Sequence, residues 1–151
     1  MGPADAIVAA LGSTQRIGID TPVFIYHIEQ SSSRAGAATA LLRAVEEGRF
    51  EGVTSVITTL EVTIQPLRLG RAEIADAYEA LLGEIPNLTI VDVDASVARI
   101  GAELRATYRL RTPDALQIAA CLAHGAEAFI TNDRRLRRVA EIDVMVLEDF
   151  S

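Results

Sequence analysis

The chain has 151 residues, half of them hydrophobic, with 21 acidic against 14 basic side chains and a formal net charge of −7. That length and apolar fraction suit one compact domain that buries well over half of its unfolded surface, and two domains would be cramped. Every basic residue is an arginine, which excludes lysine chemistry such as a Schiff base or an amine phosphate clamp, and the single cysteine, Cys121, excludes an intramolecular disulfide and a thiolate metal site.

Residues 1–15 precede the first strand signal and read as an N-terminal extension with no assigned chemistry; Ala4 to Leu11 is either a short helix stopped by Gly12 or simply an extension. Residues 16–151 read as one α/β domain, because short Val- and Ile-rich segments alternate with longer Ala- and Leu-rich stretches of helical period. Strands are expected over Ile17–Asp20, Gly52–Thr54, Leu88–Val93, Ala128–Thr131 and Val144–Leu147, which makes a central parallel sheet of about five strands. The first helix starts at Thr21-Pro22 and runs through Tyr26 and Ile28, with a hydroxyl cap and the pre-set φ of proline. A second spans Arg34 to Glu47 and stops at Gly48. A third carries Glu61 and should break or kink near Pro66, after which Gly70 turns the chain into Arg71–Leu82. The last two run over Ala95–Tyr108 and Pro113–His124.

No apolar stretch approaches the roughly 20 residues of a bilayer span, and the N-terminal segment lacks the basic start and long apolar core of a signal peptide. A cytoplasmic protein without membrane contact is the expectation.

Four acids stand out: Asp20 closes the first strand, Glu61 lies in an otherwise apolar helix, Asp114 follows Pro113 at a helix entrance, and Asp133 follows the fourth strand. Taken singly, Asp20 and Asp114 are ordinary helix-start residues, Asp133 is a turn residue, and Glu61 could lie on a solvated face. Ligands of an open parallel sheet bind beyond the carboxyl ends of its strands, where Asp20 and Asp133 fall. Two carboxylates about 4 Å apart repel by roughly 4 kcal/mol at an effective dielectric of 20, so a cluster of four requires protons or cations. An oxygen-only set without histidine or thiolate suits Mg²⁺ or Mn²⁺ better than zinc, and divalent ions there could hold a phosphate and activate water. The acidic balance argues against a phosphate binder until such ions reverse the local field.

The segment Ile19-Asp20-Thr21-Pro22-Val23-Phe24-Ile25-Tyr26 resembles the first motif of PIN-domain proteins, in particular the VapC-like toxin ribonucleases of type II toxin–antitoxin systems. Thr58-Thr59-Leu60-Glu61-Val62 with Pro66-Leu67-Arg68 resembles the second motif, Thr112-Pro113-Asp114-Ala115-Leu116-Gln117-Ile118-Ala119-Ala120 the third, and Thr131-Asn132-Asp133-Arg134-Arg135-Leu136 the fourth. The resemblance covers residues 17 to 149 and implies a three-layer α/β/α PIN-like domain. It further implies a Mg²⁺- or Mn²⁺-dependent endoribonuclease in which Asp20, Glu61, Asp114 and Asp133 form the catalytic metal-binding quartet. Asp20 and Asp114 would be the direct ligands, while Glu61 and Asp133 act through water or complete a second site.

Thr21 and Thr131, next to two of the acids, would orient them or serve only as cap and turn residues, and Asn132 would help place a phosphate or the terminal acid. Arg134, Arg135 and Arg111 flank two of the acids and are candidate RNA contacts, or else solvated surface. The toxin resemblance also implies a small cognate antitoxin and a homodimer formed through the helices over Leu67–Leu82 and Ala95–Tyr108. The alternative to a nuclease is a PIN-like domain that binds RNA or protein without cutting. Phosphoaspartate enzymes of similar fold rely on a lysine, which this chain lacks. His27 and His124 stand alone and read as structural residues, and Cys121 as a small core residue.

Overall fold

A computed structural model of the chain describes residues 2–150; Met1 and Ser151, the outer ends of the two expected segments, lie outside the described residues. Five parallel strands form one sheet: β1 (Arg16–Ile19), β2 (Glu51–Ser55), β3 (Leu88–Val91), β4 (Ala128–Thr131) and β5 (Asp143–Val146), in the order β3-β2-β1-β4-β5. The chain works outward from β1 to β3 on one side, then returns to lay β4 and β5 on the other. Connections therefore diverge between β1 and β4, the switch point at which such sheets open a crevice.

The helices are α1 (Ala6–Leu11), α2 (Thr21–Glu29), α3 (Ala35–Glu46), α4 (Val56–Arg68), α5 (Ala72–Gly83), α6 (Ala95–Tyr108) and α7 (Thr112–Ala123). Period-two alternation along the central strands sends side chains to two separate cores. Ile17 and Ile19 of β1, with Ala128 and Ile130 of β4, join one core with α1, α2 and α3, whereas Phe129 joins the other with α6 and α7. Gly18 lies between Ile17 and Ile19 on the α7 face, where a Cβ would stand 2.6 Å from Cys121 Sγ and 2.9 Å from its Cβ. Only glycine allows β1 and α7 to approach that closely.

Several element boundaries depart from expectation for local reasons. β1 stops at Ile19, and Asp20 becomes the cap of α2, its Oδ1 accepting the Thr21 amide at 2.9 Å. Thr112 does not cap α7; its hydroxyl instead accepts from the Arg105 guanidinium at 3.1 Å. α4 runs unbroken through Pro66 to Arg68, where a break or kink near the proline was expected. Proline there falls within the last turn, so few helical hydrogen bonds are lost beyond it. Residues 134–138 form a 3₁₀ turn opened by Asp133, which sequence patterning did not single out.

Of the two readings of the N-terminal segment, the structure takes the helical one. α1 buries Ile7, Val8 and Leu11 in the same core as β1, α2 and α3 and is stopped at Gly12, whose φ is +54°. Cys121 is buried, and its thiol is pushed up by desolvation above all. Among the described residues no helix is long and apolar enough to cross a membrane.

Candidate metal and phosphate site

All four singled-out acids line one cleft of about 530 Å³ at the carboxyl edge of the sheet, together with Thr21, Tyr26, Arg68, Arg111 and Asn132. β1 delivers Asp20, β4 delivers Asp133 two residues past its end, α4 presents Glu61 and the first turn of α7 presents Asp114. The carboxylates surround the cleft without converging on one point, and among the described residues no three acidic, histidine or cysteine side chains stand where they could hold a metal ion without rearrangement.

Asp20 is the most deeply set, with 7 % of its surface exposed. Its Oδ2 accepts the Thr131 hydroxyl at 2.8 Å, and its Oδ1 accepts the Thr21 amide and, at 3.3 Å, the Gln117 side-chain amide. Burial outweighs these donors and raises its pKa to about 6, with a small further push from the charge of Asp114. Among the described residues Asp20 and Glu61 form no ion pair, whereas the other two acids have counter-charges. Arg111 reaches Asp114 at 3.0 Å, and Arg135 grips Asp133 through two hydrogen bonds of 3.0 and 2.8 Å. That grip, more than anything else, holds the Asp133 carboxyl below the usual carboxylate range.

The two threonines act as connectors rather than simple caps. Thr21 Oγ1 donates to Glu61 Oε1 at 2.7 Å, and the Thr131 hydroxyl that donates to Asp20 also accepts the Asp133 amide at 3.2 Å. Asn132 spans the cleft wall, donating to the Tyr26 hydroxyl at 3.0 Å and accepting the Glu148 amide at 3.2 Å. Arg134 is engaged by Asp149 at 2.5 Å, which draws it toward the C-terminal turn.

Behind the acids lies a buried polar network that sequence reasoning missed. Gln117, 1 % exposed, accepts from the Ser55 hydroxyl, which fixes its amide so that Nε2 faces Thr58 (2.8 Å), Thr21 (3.2 Å) and Asp20 (3.3 Å). Thr58 continues to Thr54 at 2.8 Å, whose hydroxyl donates to the Ile19 carbonyl. The network joins β1, β2, α4 and α7 behind the site. One signal was available: a glutamine one turn after Asp114 on the otherwise apolar stripe of Ala115, Ile118 and Ala119 would be costly without partners.

The donor chemistry fits a hard divalent cation. The set is all oxygen, and its deepest member is a buried carboxylate with several hydrogen bonds but, among the described residues, no cationic partner, an arrangement a bound cation would relieve.

Fold and cleft together define a three-layer α/β domain with a carboxylate-lined crevice at the switch point of a parallel sheet. The chain belongs to the PIN-domain family, whose model matches residues 17–142. No curated protein sequence matches it. Among solved structures it is similar to VapBC2 from Rickettsia felis bound to a promoter DNA fragment (TM-score 0.70, 16 % identity, 87 % of this chain and 98 % of that one). It is also similar to FitAcB from Neisseria gonorrhoeae (0.65, 21 %, 87 % and 98 %) and to a toxin–antitoxin complex from Klebsiella pneumoniae (0.64, 20 %, 87 % and 97 %). α1 lies outside the matched family region.

Proposed function

We propose that this PIN-domain protein is an endoribonuclease dependent on Mg²⁺ or Mn²⁺, acting in the cytoplasm as the toxin of a toxin–antitoxin pair. The observation that carries the reading is the shared cleft of Asp20, Glu61, Asp114 and Asp133 at the sheet's carboxyl edge. Asp20 and Asp114 would hold the metal, with Glu61 and Asp133 reaching it through water or completing a second site. When bound, the ion supplies a water of lowered pKa and stabilises the leaving oxygen of a phosphodiester.

The chain's own residues contribute position and charge. Thr131 and Gln117 lock the rotamer of Asp20, and Thr21 fixes Glu61. Arg111, Arg135 and Arg68 present guanidinium groups at the rim, suited to the non-bridging oxygens of a phosphate. Asp20 is accompanied by no general base of the histidine type, so deprotonation of water rests on the metal and the carboxylates.

The similarity to toxin–antitoxin complexes supports a small antitoxin as partner. Beside Glu61, an apolar groove of about 410 Å³ lined by Ile25, Ile28, Val62, Leu69 and Tyr78 is of a kind that takes an amphipathic helix. Leu60, Leu67, Leu69 and Leu81 are exposed on α4, α5 and the turn between them, which supports a homodimer through that face.

The test is cleavage of total RNA with Mg²⁺ or Mn²⁺, with and without EDTA, against Asp20→Asn. Metal-dependent cutting lost in the variant is the expected result, and equal cutting by both proteins would sink the reading. A non-cleaving RNA- or protein-binding domain is the second reading, favoured by the arginine pairs on Asp114 and Asp133, and it is what binding without cleavage would show.

A further inference from the structure

Next to the acidic cleft, and sharing Arg111, Asp114 and Asp133 with it, lies a second, smaller concavity of about 50 Å³. Four arginines line it: Arg109 and Arg111 from the loop between α6 and α7, Arg135 and Arg138 from the 3₁₀ turn after β4. Buried Leu110 and Leu136 complete its lining, and the Arg138 guanidinium donates to the Arg109 carbonyl at 3.5 Å, tying the two walls together. Arg111 and Arg135 are matched by Asp114 and Asp133, but among the described residues Arg109 and Arg138 form no ion pair. The concavity thus carries two uncompensated positive charges a short step from the acids, and it is of a size to seat one phosphate group.

The backbone supplies an independent observation. Arg109 caps the C-terminus of α6 at φ +54°, ψ +43°, in the left-handed region. Glycine is the usual residue at such a cap, because a Cβ is disfavoured in that conformation. Arg109 keeps a long cationic side chain at that position and lines the hollow.

We infer that Arg109 and Arg138 form a phosphate cradle for the RNA strand, holding a backbone phosphate next to the one that enters the acidic cleft. This rests on the nuclease reading and extends it by giving the strand a direction: from the acids, past Arg111 and Arg135, toward the loop between α6 and α7. Guanidinium forks suit phosphate oxygens, and backbone contacts of this kind position a strand without reading its bases.

Two variants test it in the full-length chain. Arg109→Gly removes the side chain while relaxing the turn, and Arg138→Gln removes the charge without touching the strained backbone. Binding of a fluorescent single-stranded oligoribonucleotide is followed in EDTA across a salt series, and cleavage is measured in Mg²⁺. Each variant should bind several-fold more weakly, with a salt slope shallower by about 0.7, the value for one phosphate contact on a single strand. The Michaelis constant should rise with kcat nearly unchanged, and Arg109→Gly should melt no lower than the parent. Unchanged affinity and slope in both variants, with cleavage intact, would overturn the cradle and leave the nuclease reading standing. A parent chain that neither binds nor cuts RNA would overturn both. Should Arg109→Gly lose stability, Arg138→Gln alone decides.

Discussion

Gln117 on α7 donates its side-chain amide to Asp20 at the end of β1, 97 residues away in the chain, and does so from a fully buried position. The same amide reaches Thr21 and Thr58, so one side chain ties the deepest acid of the cleft to the residue that orients Glu61.

Gln117→Leu should therefore act twice. It leaves Ser55, Thr58 and Asp20 short of a partner in a buried site, at a cost of about 2 kcal/mol. Urea unfolding checks this, and a loss below 0.5 kcal/mol would show that the network is not cooperative. Because Gln117 positions Asp20 rather than touching substrate, the variant should also weaken Mn²⁺ binding about 10-fold, readable by paramagnetic titration.

The pH dependence of the metal-free protein follows from Asp20. Its folded pKa of about 6 lies above the unfolded value of 3.8, so between these values the native state binds more protons than the unfolded chain. Stability then falls as pH rises through that window, by about 3 kcal/mol for this group as an upper bound. The depressed carboxyl of Asp133 works in the opposite sense, but only below its own unfolded pKa. Thermal melts in EDTA at pH 4.5 and 7.5 should show a lower midpoint at the higher pH, and Asp20→Asn should abolish most of the difference. Added Mn²⁺ should raise the midpoint of the parent chain at pH 7.5. A flat profile in the parent would contradict the burial argument.

Gly18→Ala introduces a Cβ into space already held by Cys121. We expect a loss of about 1–3 kcal/mol, since neither β1 nor α7 can move without disturbing the sheet. Cys121→Ala in the same chain should recover part of it. Equal stability of the single and double variants would mean that the helix, not the sulfur, is what yields.

α1 is the element outside the matched family region, yet Ile7 is wholly buried in the main core. Ile7→Ala should cost about 2–5 kcal/mol. If the variant unfolds at the parent's urea midpoint, α1 is an appendage and not part of the domain.

Local chemistry was sufficient for the class of fold and for the four acids. Alternating Val- and Ile-rich runs and Ala- and Leu-rich helices follow from short-range periodicity, and Ala95–Tyr108 was placed to the residue because Asp94 caps it and its amphipathic stripe is regular. Asp20, Asp114 and Asp133 were legible because each sits at a strand end or helix start whose location that periodicity fixes, and Glu61 because it is a charge within an otherwise apolar stretch of helix. What the sequence could not decide is who faces whom across the sheet. Pairing β1 with β4 brings Thr131 onto Asp20, and packing α7 over β1 brings Gln117 there too, contacts that span 111 and 97 residues. The meeting of Arg138 with Arg109, 29 residues apart, arises likewise from elements distant in the chain, whereas the ion pairs on Asp114 and Asp133 are local, three and two residues apart. Periodicity specifies which face of an element is buried, but the partner on that face is chosen by packing between elements, and only the tertiary structure carries that information.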